Sequence, residues 1–276
     1  MPYSTLMVHL DTDKSNAALL RFVDDFARRL KADVIGIAAG QPMKLIYTDG
    51  YVPANLVQQD FEQLGASIKA AEKEFRDALR GQASNVEWRS TVTVAPLADY
   101  IAHEARSADL IITTAPSDAS FLESEHHVNA GDLVMLAGRP VLVVPAETTT
   151  PKLDRVLVGW KETREARRAI VDALPILKAA THVIVAEIAD QDEMDEARMH
   201  LGQVVTWLQR HGVVAAASAV ASKGDDANQL NAIAAQNSID VVVAGAYGHS
   251  RVREWALGGV TRDLLLRGER YALISH

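Results

Sequence analysis

The chain alternates short runs of consecutive apolar residues with longer segments in which apolar residues recur every three or four positions. The short runs, such as residues 5–10 and 240–244, are typical of strands that are buried on both faces of a parallel sheet. The longer segments place their apolar residues on one side of a helix, as Leu19, Phe22 and Phe26 show. This alternation predicts an α/β fold in which helices cover parallel sheets.

The same series of elements occurs twice along the chain. Amphipathic helices are predicted after the first, second and third strands of each half. A repeat of this length predicts two doubly wound (Rossmann-like) domains in tandem, each with a five-stranded parallel sheet. The predicted strands are residues 5–10, 33–38, 86–94, 109–113 and 141–144, and then 155–160, 182–188, 213–220, 240–244 and 272–275.

Proline and threonine mark the boundary between the halves. Residues 145–154 are rich in both and lie between two predicted strands, so we assign one domain to residues 1–147 and a second to residues 152–276. An insertion at residues 41–59 breaks the symmetry, since its counterpart at residues 189–193 is much shorter. A loop of this length is either a lid or binding segment, or else it packs on the surface or begins the next helix earlier.

Composition narrows the functional classes. The 276 residues are 48% hydrophobic, which suffices for two buried cores. A net charge of −8 argues against general affinity for nucleic acids or anionic membranes. The absence of cysteine excludes disulfides and thiolate chemistry. No signal-peptide pattern and no apolar run near the roughly 20 residues of a membrane span are present, so a soluble cytoplasmic protein is expected.

A set of glycines follows the apolar run at residues 240–244. Glycine lets backbone N–H groups approach a ligand that a Cβ atom would keep away, and a helix that begins nearby adds further free N–H groups. Both features suit phosphate, although each glycine alone is equally compatible with a turn or a flexible helix start. The candidate phosphate-binding positions are Gly245, Gly248, Gly258, Gly259, Val260 and Thr261.

The spacing G-x2-G-x9-G, followed by Val-Thr, resembles the ATP-binding signature of the universal stress protein family. The family pattern has Ser, Thr or Asn where this chain has Gly259. The resemblance extends over the whole chain as two family-like units and implies the strand order 3-2-1-4-5 in each. Ligands of such sheets bind beyond the carboxyl ends of the first and fourth strands. Lys161 and Gly245 would then lie on the two sides of the site, with Trp160 as a further candidate lining residue.

The two halves carry different residues at the positions of this signature. Family members often have Asp after the first strand, where this chain has Asp11 in the first half and Lys161 in the second. Neither half has the complete set, but the second keeps the glycines that would hold the phosphates. The resemblance therefore implies a nucleotide site in the second half and a degenerate site in the first. With Asp109 aligned to Asp240, the first-half residues opposite the glycines are Thr114, Ser117, His127 and Val128.

Other motifs are weaker. His126 and His127 are candidates for metal ligation, but adjacent residues rarely point at one ion and no partner stands at ligand spacing, so no metal site is predicted. The chain contains no G-x-G-x-x-G, G-x4-G-K-[ST] or G-x-S-x-G motif. Ser250 is more consistent with a capping hydroxyl than with a nucleophile, and no catalytic residue is assigned.

The resemblance implies a stress-associated sensor or regulator that binds an adenine nucleotide, namely ATP with or without Mg²⁺. Two other classes stay open. A nucleotide-free interaction module is compatible with Gly259 and Lys161. A slow ATP hydrolase is the other class, but no general base or Mg²⁺-binding carboxylate pair is evident. The chain is therefore expected to be a binding protein with, at most, very slow hydrolysis.

Proteins that resemble this chain usually dimerise through their last strands, and a tandem chain can do so internally. We therefore expect residues 141–144 and 272–275 to meet edge to edge across a pseudo-twofold axis, which would cover two exposed sheet edges. A homodimer of chains is the favoured further assembly.

Overall fold

A computed structural model of the chain describes residues 2–42, 54–81, 85–115, 128–146, 152–246 and 259–276. Strands and helices follow one another in the order that the apolar pattern predicts. The strands are β1 (Thr5–His9), β2 (Asp33–Gly40), β3 (Val86–Val92), β4 (Leu110–Thr114), β5 (Val141–Val144), β6 (Arg155–Trp160), β7 (His182–Ala189), β8 (Ala215–Ala221), β9 (Val241–Gly245) and β10 (Tyr271–Ser275). The helices are α1 (Ala17–Leu30), α2 (Ala54–Ala78), α3 (Leu97–Glu104), α4 (Ala130–Ala137), α5 (Arg164–Asp172), α6 (Leu174–Ala179), α7 (Met194–Arg210), α8 (Asp226–Gln236) and α9 (Gly259–Arg267).

The strands of the described ranges join in one ten-stranded sheet. Its order is β3-β2-β1-β4-β5-β10-β9-β6-β7-β8, and every neighbouring pair is parallel except β5 with β10. The first half has the predicted order 3-2-1-4-5, and the second half has the same order in reverse. The predicted α/β fold with a mainly parallel sheet is confirmed. The two five-stranded sheets expected in tandem are joined edge to edge into one continuous sheet.

The antiparallel pairing of β5 with β10 joins the two halves. Leu142 lies opposite Leu273, and Val143 lies opposite Ala272. All four side chains are buried. Without this pairing, each strand would expose a row of N–H and C=O groups at the edge of an apolar surface. The expected contact between residues 141–144 and 272–275 is therefore observed within one chain.

Side chains on one face of the sheet make further contacts between the two halves. The Tyr3 hydroxyl donates a hydrogen bond of 2.5 Å to the carbonyl of Asp172, and the ring of Phe22 packs against Tyr271 with centroids 5.1 Å apart. Burial raises the pKa of the Tyr3 phenol, and the carboxylates of Asp172 and Asp109 raise it further. These contacts bind the beginning of the first half to the second half.

Helices cover both faces of the sheet. Apolar residues of α1, α2, α5, α6 and α7 pack into the core on one face. Residues of α3, α4, α8 and α9 form the core on the other face, where the cavity described below lies. No helix in the described ranges combines the length and apolar composition needed to cross a bilayer.

Two helices differ from their predicted form. The helix after β6 is divided into α5 and α6, because Pro175 in the first turn of α6 has no backbone N–H with which to continue a helix. In the insertion at residues 41–59, residues 54–59 form the first turns of α2. The earlier helix start is therefore correct for those six residues, and residues 43–53 lie outside the described ranges.

Candidate functional site

The chain order of the sheet reverses between β6 and β9. β6 leads to β7 on one side, whereas β9 leads to β10 on the other, so a crevice opens beyond the carboxyl ends of these two strands. A cavity of about 530 Å³ lies there. Its walls come from the carboxyl ends of β6, β7 and β9 and from the first residues of α5, α8 and α9.

Six of the residues that the sequence singles out line this cavity. They meet because β6 and β9 are neighbours in the sheet although they are far apart in the sequence. Gly248 and Gly258, which complete the predicted motif, lie outside the described residues. The six lining residues are Trp160, Lys161, Gly245, Gly259, Val260 and Thr261.

Three helices begin at the cavity wall. Thr163 caps α5 through its hydroxyl, Asp225 caps α8 through its carboxylate, and α9 begins at Gly259. The first turn of a helix carries free N–H groups and the positive end of the helix dipole, both of which attract anions. The exposed side chain of Lys161 adds a positive charge at the same wall. This arrangement suits a phosphate group.

Gly245 and Gly259 differ in what surrounds them. A Cβ atom on Gly245 would lie 2.5 Å from the backbone nitrogen of Ala166 and 2.5 Å from the carbonyl carbon of Glu165. The start of α5 can therefore pack on the end of β9 only because residue 245 has no side chain. A Cβ atom on Gly259 would meet no described atom within 4 Å. Packing alone explains Gly245, whereas no described atom lies close enough to residue 259 to exclude a side chain.

Two carboxylates that the sequence analysis does not name line the wall formed by α8. Asp225 accepts a hydrogen bond of 3.0 Å from the backbone nitrogen of Asn228. Asp226 accepts one of 2.8 Å from the hydroxyl of Ser222. Their negative charge disfavours phosphate near α8 and favours hydrogen-bond donors of a ligand. The sequence signal was available, since an aspartate before a helix, followed by a second at its first residue, is a capping pattern.

Small residues line the part of the cavity that lies on the sheet, and the sequence analysis does not name these either. Gly159 is paired in register with Ala244 on one side and Ala186 on the other. We call these three residues the small row. A Cβ atom on Gly159 would lie 3.4 Å from Leu230 Cδ2, so α8 packs closely over the row. Small residues within a strand carry no chemical signal in a sequence.

The corresponding end of the first half is arranged differently. Thr114 is half-buried at the end of β4, and Val128 is half-buried against the core. The carboxylate of Asp11 accepts a hydrogen bond of 2.8 Å from the backbone nitrogen of Asp13, so it takes part in the turn between β1 and α1. Ser117 and His127 lie outside the described residues. That the first half binds no nucleotide stays a prediction.

The other candidate motifs also fall outside the described residues. These include His126 and His127, considered as metal ligands, and Ser250. Within the described ranges, no group of three or more His, Asp or Glu side chains is placed to hold a metal ion.

A polar cluster adjoins the cavity through Trp160, on the face of the sheet that α7 covers. Trp160 and Glu187 are paired in register on β6 and β7, and Nδ1 of His200 on α7 lies 4.0 Å from the Glu187 carboxylate. Trp160 Nε1, Glu187 Oε2 and His200 Nδ1 have no hydrogen-bond partner among the described residues. Burial raises the pKa of the Glu187 carboxyl, and the charge of His200 partly offsets this effect.

Glu187→Gln is expected to raise the free energy of unfolding by about 1 kcal/mol near neutral pH, because it removes a poorly solvated charge. The raised pKa means that Glu187 contributes stability below its ordinary value of 4.5 and loses that contribution as the pH rises through the folded-state value. The advantage of the variant should therefore shrink in acid, as urea unfolding across the pH range would measure.

The matched control for this variant is Glu196→Gln. Glu196 also lies near His200, with 3.6 Å between His200 Nε2 and the carboxylate, but its side chain is exposed. Its replacement should leave the unfolding free energy unchanged. A Glu187→Gln protein that is no more stable than the parent near pH 8 would contradict the burial argument.

The fold is similar to solved structures of universal stress proteins. A universal stress protein from Archaeoglobus fulgidus DSM 4304 aligns with a TM-score of 0.74 and 12% identity, over 98% of this chain and 97% of the other. A Pseudomonas aeruginosa UCBPP-PA14 protein, described provisionally as a universal stress protein, aligns with a TM-score of 0.63 and 18% identity, over 99% and 93%. No protein-family model matches the chain, and no curated protein matches its sequence. At these identities the likeness establishes the fold.

Proposed function

We propose that the chain is a stress-associated adenine-nucleotide-binding protein of the cytoplasm, acting as a sensor or regulator. ATP, with or without Mg²⁺, would bind in the cavity of residues 152–276. The observation that carries this proposal is the meeting of Lys161, Gly259 and Thr261 at one cavity where α5 and α9 begin. Free N–H groups, helix dipoles and a lysine together favour a bound phosphate.

The size and chemistry of the cavity support a nucleotide. Its volume of about 530 Å³ falls within the roughly 300–1,000 Å³ that is usual for small-molecule sites. The phosphates would lie at the start of α9, where residue 259 leaves space. Asp225 and Asp226 on the α8 wall would accept hydrogen bonds from the hydroxyl or amino groups of the nucleoside.

The cavity favours binding over catalysis. In this proposal Asp225 and Asp226, which each accept one hydrogen bond within the chain, use their remaining acceptor sites for the nucleoside. Holding the phosphates does not by itself activate a water molecule, which requires a positioned base. We therefore propose a binding protein with, at most, very slow ATP hydrolysis.

A second candidate function is a nucleotide-free interaction module. The observation that favours it is Gly245, because the close approach of α5 accounts for this glycine without any ligand. In either case we propose two units, residues 1–147 and 152–276. The nucleotide-binding protein would have its site only in the second unit, and the interaction module would have none. A homodimer of chains would need a surface other than β5 and β10, since these strands pair within the chain.

Native mass spectrometry and titration calorimetry test the proposal. We expect one ATP per chain, with and without Mg²⁺, and turnover far below the roughly 1–1,000 per second of ordinary enzymes. Two equivalent sites per chain would contradict the asymmetry between the halves. Absence of binding at millimolar ATP would favour the interaction module, and turnover in the ordinary enzyme range would overturn the binding-protein proposal.

A further inference from the structure

The ten-stranded sheet ends in two edge strands, β3 in the first half and β8 in the second. Among the described residues, each of them pairs with another strand on one side only. Val34, the second residue of β2, lies opposite Val86. In the same way Val183, the second residue of β7, lies opposite Ala215. The two edges are therefore equivalent in the repeat and can be compared residue by residue.

The edge strand of the first half carries charged side chains. In β3, Glu87 and Arg89 form an ion pair of 2.7 Å, and Arg89 also lies 3.0 Å from the carboxylate of Glu104 at the end of α3. The equivalent residues of β8 are Ala216 and Ser218. Charged side chains on an edge strand keep other strands from pairing with it. The first half has this protection, and the second half lacks it.

The edge strand of the second half is uncharged over its whole length. β8 has the sequence AAASAVA, and residues 212–222 include no charged residue and no proline. Val214, directly before the strand, is 88% exposed. An exposed, uncharged edge without proline is the kind of edge to which a further strand adds.

The backbone of β8 presents a regular row of donors and acceptors at this edge. The N–H group of Ser222 donates a hydrogen bond of 2.8 Å to the carbonyl of Ala189 at the end of β7. Backbone groups alternate in direction along a strand, so every second residue counted back from Ser222 turns toward β7. The residues between them turn their N–H and C=O groups toward the open edge, and these are Ala215, Ala217, Ala219 and Ala221.

A second copy of β8 matches this row when it runs antiparallel about Ser218, the middle residue of the strand. All seven residues then pair, and Ala217 exchanges backbone hydrogen bonds with Ala219 of the second copy. Ser218 lies opposite its own copy at a position without hydrogen bonds between the two residues. The same register in β3 would place Arg89 opposite its own copy, and like charges directly opposite each other destabilise a sheet.

Charges at the two ends of β8 favour the same antiparallel arrangement. Arg210 precedes the strand, whereas Lys223, Asp225 and Asp226 follow it with a net negative charge. Antiparallel pairing brings the beginning of one strand beside the end of the other. Opposite charges therefore come near each other at both ends of the pair and attract.

We infer that the chain forms a homodimer through β8, in which two ten-stranded sheets join edge to edge by antiparallel pairing about Ser218. A twofold axis gives both copies the same contacts, so the assembly closes at two chains. The paired strands are short, so we expect a dissociation constant on the order of 10 μM. The dimer goes beyond the proposed function and does not depend on nucleotide binding.

Ser218→Arg tests the dimer by giving β8 the residue that the first half accommodates at the equivalent position, Arg89. Two arginines would then lie opposite each other in the pair, so we expect the dissociation constant to rise at least about tenfold in sedimentation equilibrium. Ser90→Arg is the matched control, because it makes the same change at an exposed position of the other edge strand. It should leave the dissociation constant unchanged.

A single cysteine tests the register. The chain has no cysteine, so Ser218→Cys supplies one thiol per chain. The pairing places the two Cα atoms about 4.5 Å apart, within the roughly 4.4–6.8 Å of disulfides. Oxidation with diamide should therefore link two chains through residue 218. Ala216→Cys is the control, since Ala216 is exposed on the same strand but its copy would be displaced by roughly 13 Å along the pair.

The outcomes separate this dimer from other assemblies. A parent that stays monomeric at about 200 μM overturns the inference. A parent dimer that Ser218→Arg leaves intact also overturns it, because another surface would then hold the chains together. If circular dichroism shows that Ser218→Arg does not fold, the cysteine variants decide, and equal cross-linking at residues 216 and 218 overturns the inference. ATP affinity is measured separately, so failure of the dimer leaves the nucleotide proposal standing.

Discussion

Replacing Gly245 with alanine is expected to lower the free energy of unfolding by about 3 kcal/mol, the upper end of the range for overpacking. The new Cβ would lie 2.5 Å from two backbone atoms of α5, at Glu165 and Ala166. Backbone cannot move aside as the end of a flexible side chain can. The strand also cannot shift away, because Gly245 is paired with Ser275 of β10 and the preceding residue with Gly159 of β6. Urea unfolding of the full chain measures the effect.

Gly259→Ala is the matched control for this variant. A Cβ there meets no described atom within 4 Å, and alanine is the better helix former by up to about 1 kcal/mol. The control should therefore be at least as stable as the parent. If the free energy of unfolding of Gly245→Ala lies within about 0.5 kcal/mol of the parent value, then α5 does not require this glycine. A role toward a ligand would then become its main explanation.

Placing glutamate at residue 259 is expected to weaken ATP binding at least thirtyfold, or about 2 kcal/mol. Residue 259 lines the cavity at the start of α9, and no described atom would lie within 4 Å of the new Cβ. Its carboxylate would accept hydrogen bonds from the N–H groups at the start of α9 that are proposed to bind phosphate. Its negative charge would also repel the phosphates. A carboxylate at a helix start stabilises the helix by roughly 0.3–1 kcal/mol. Loss of binding would therefore not reflect unfolding.

Gly259→Gln separates charge from size in this experiment. Glutamine has nearly the same volume without the charge, so its ATP affinity should fall less than about fivefold, or about 1 kcal/mol. Adenosine should bind the two variants equally, because it carries no phosphate. Equal ATP affinities for the glutamate and glutamine variants would show that the start of α9 does not hold the phosphates. Calorimetry at low ionic strength gives the clearest contrast, since salt screens such charges.

The periodicity of apolar residues was sufficient to predict most of the fold. Alternation of buried runs with amphipathic segments depends on local backbone geometry, which each stretch of sequence carries by itself. The repeat then related the two halves. The pairing of β5 with β10 was implied by the family resemblance, and it covers two sheet edges that would otherwise be exposed. The helix after β6 was predicted as one helix, which is wrong. The helix divides at Pro175, where the apolar spacing continues but the backbone N–H is missing.

The family resemblance in the sequence supplied the strand order, and that order predicts a candidate site where the carboxyl ends of β6 and β9 meet. Only the tertiary structure decided what each residue does there. Gly245 and Gly259 look alike in the sequence, yet one is pressed against α5 and the other borders open space. The small row is likewise invisible without the structure, because glycine and alanine have no distinctive chemistry. Gly159 lets Leu230 of α8 lie 3.4 Å from the place that a Cβ atom would occupy, and this contact depends on packing between segments distant in the chain.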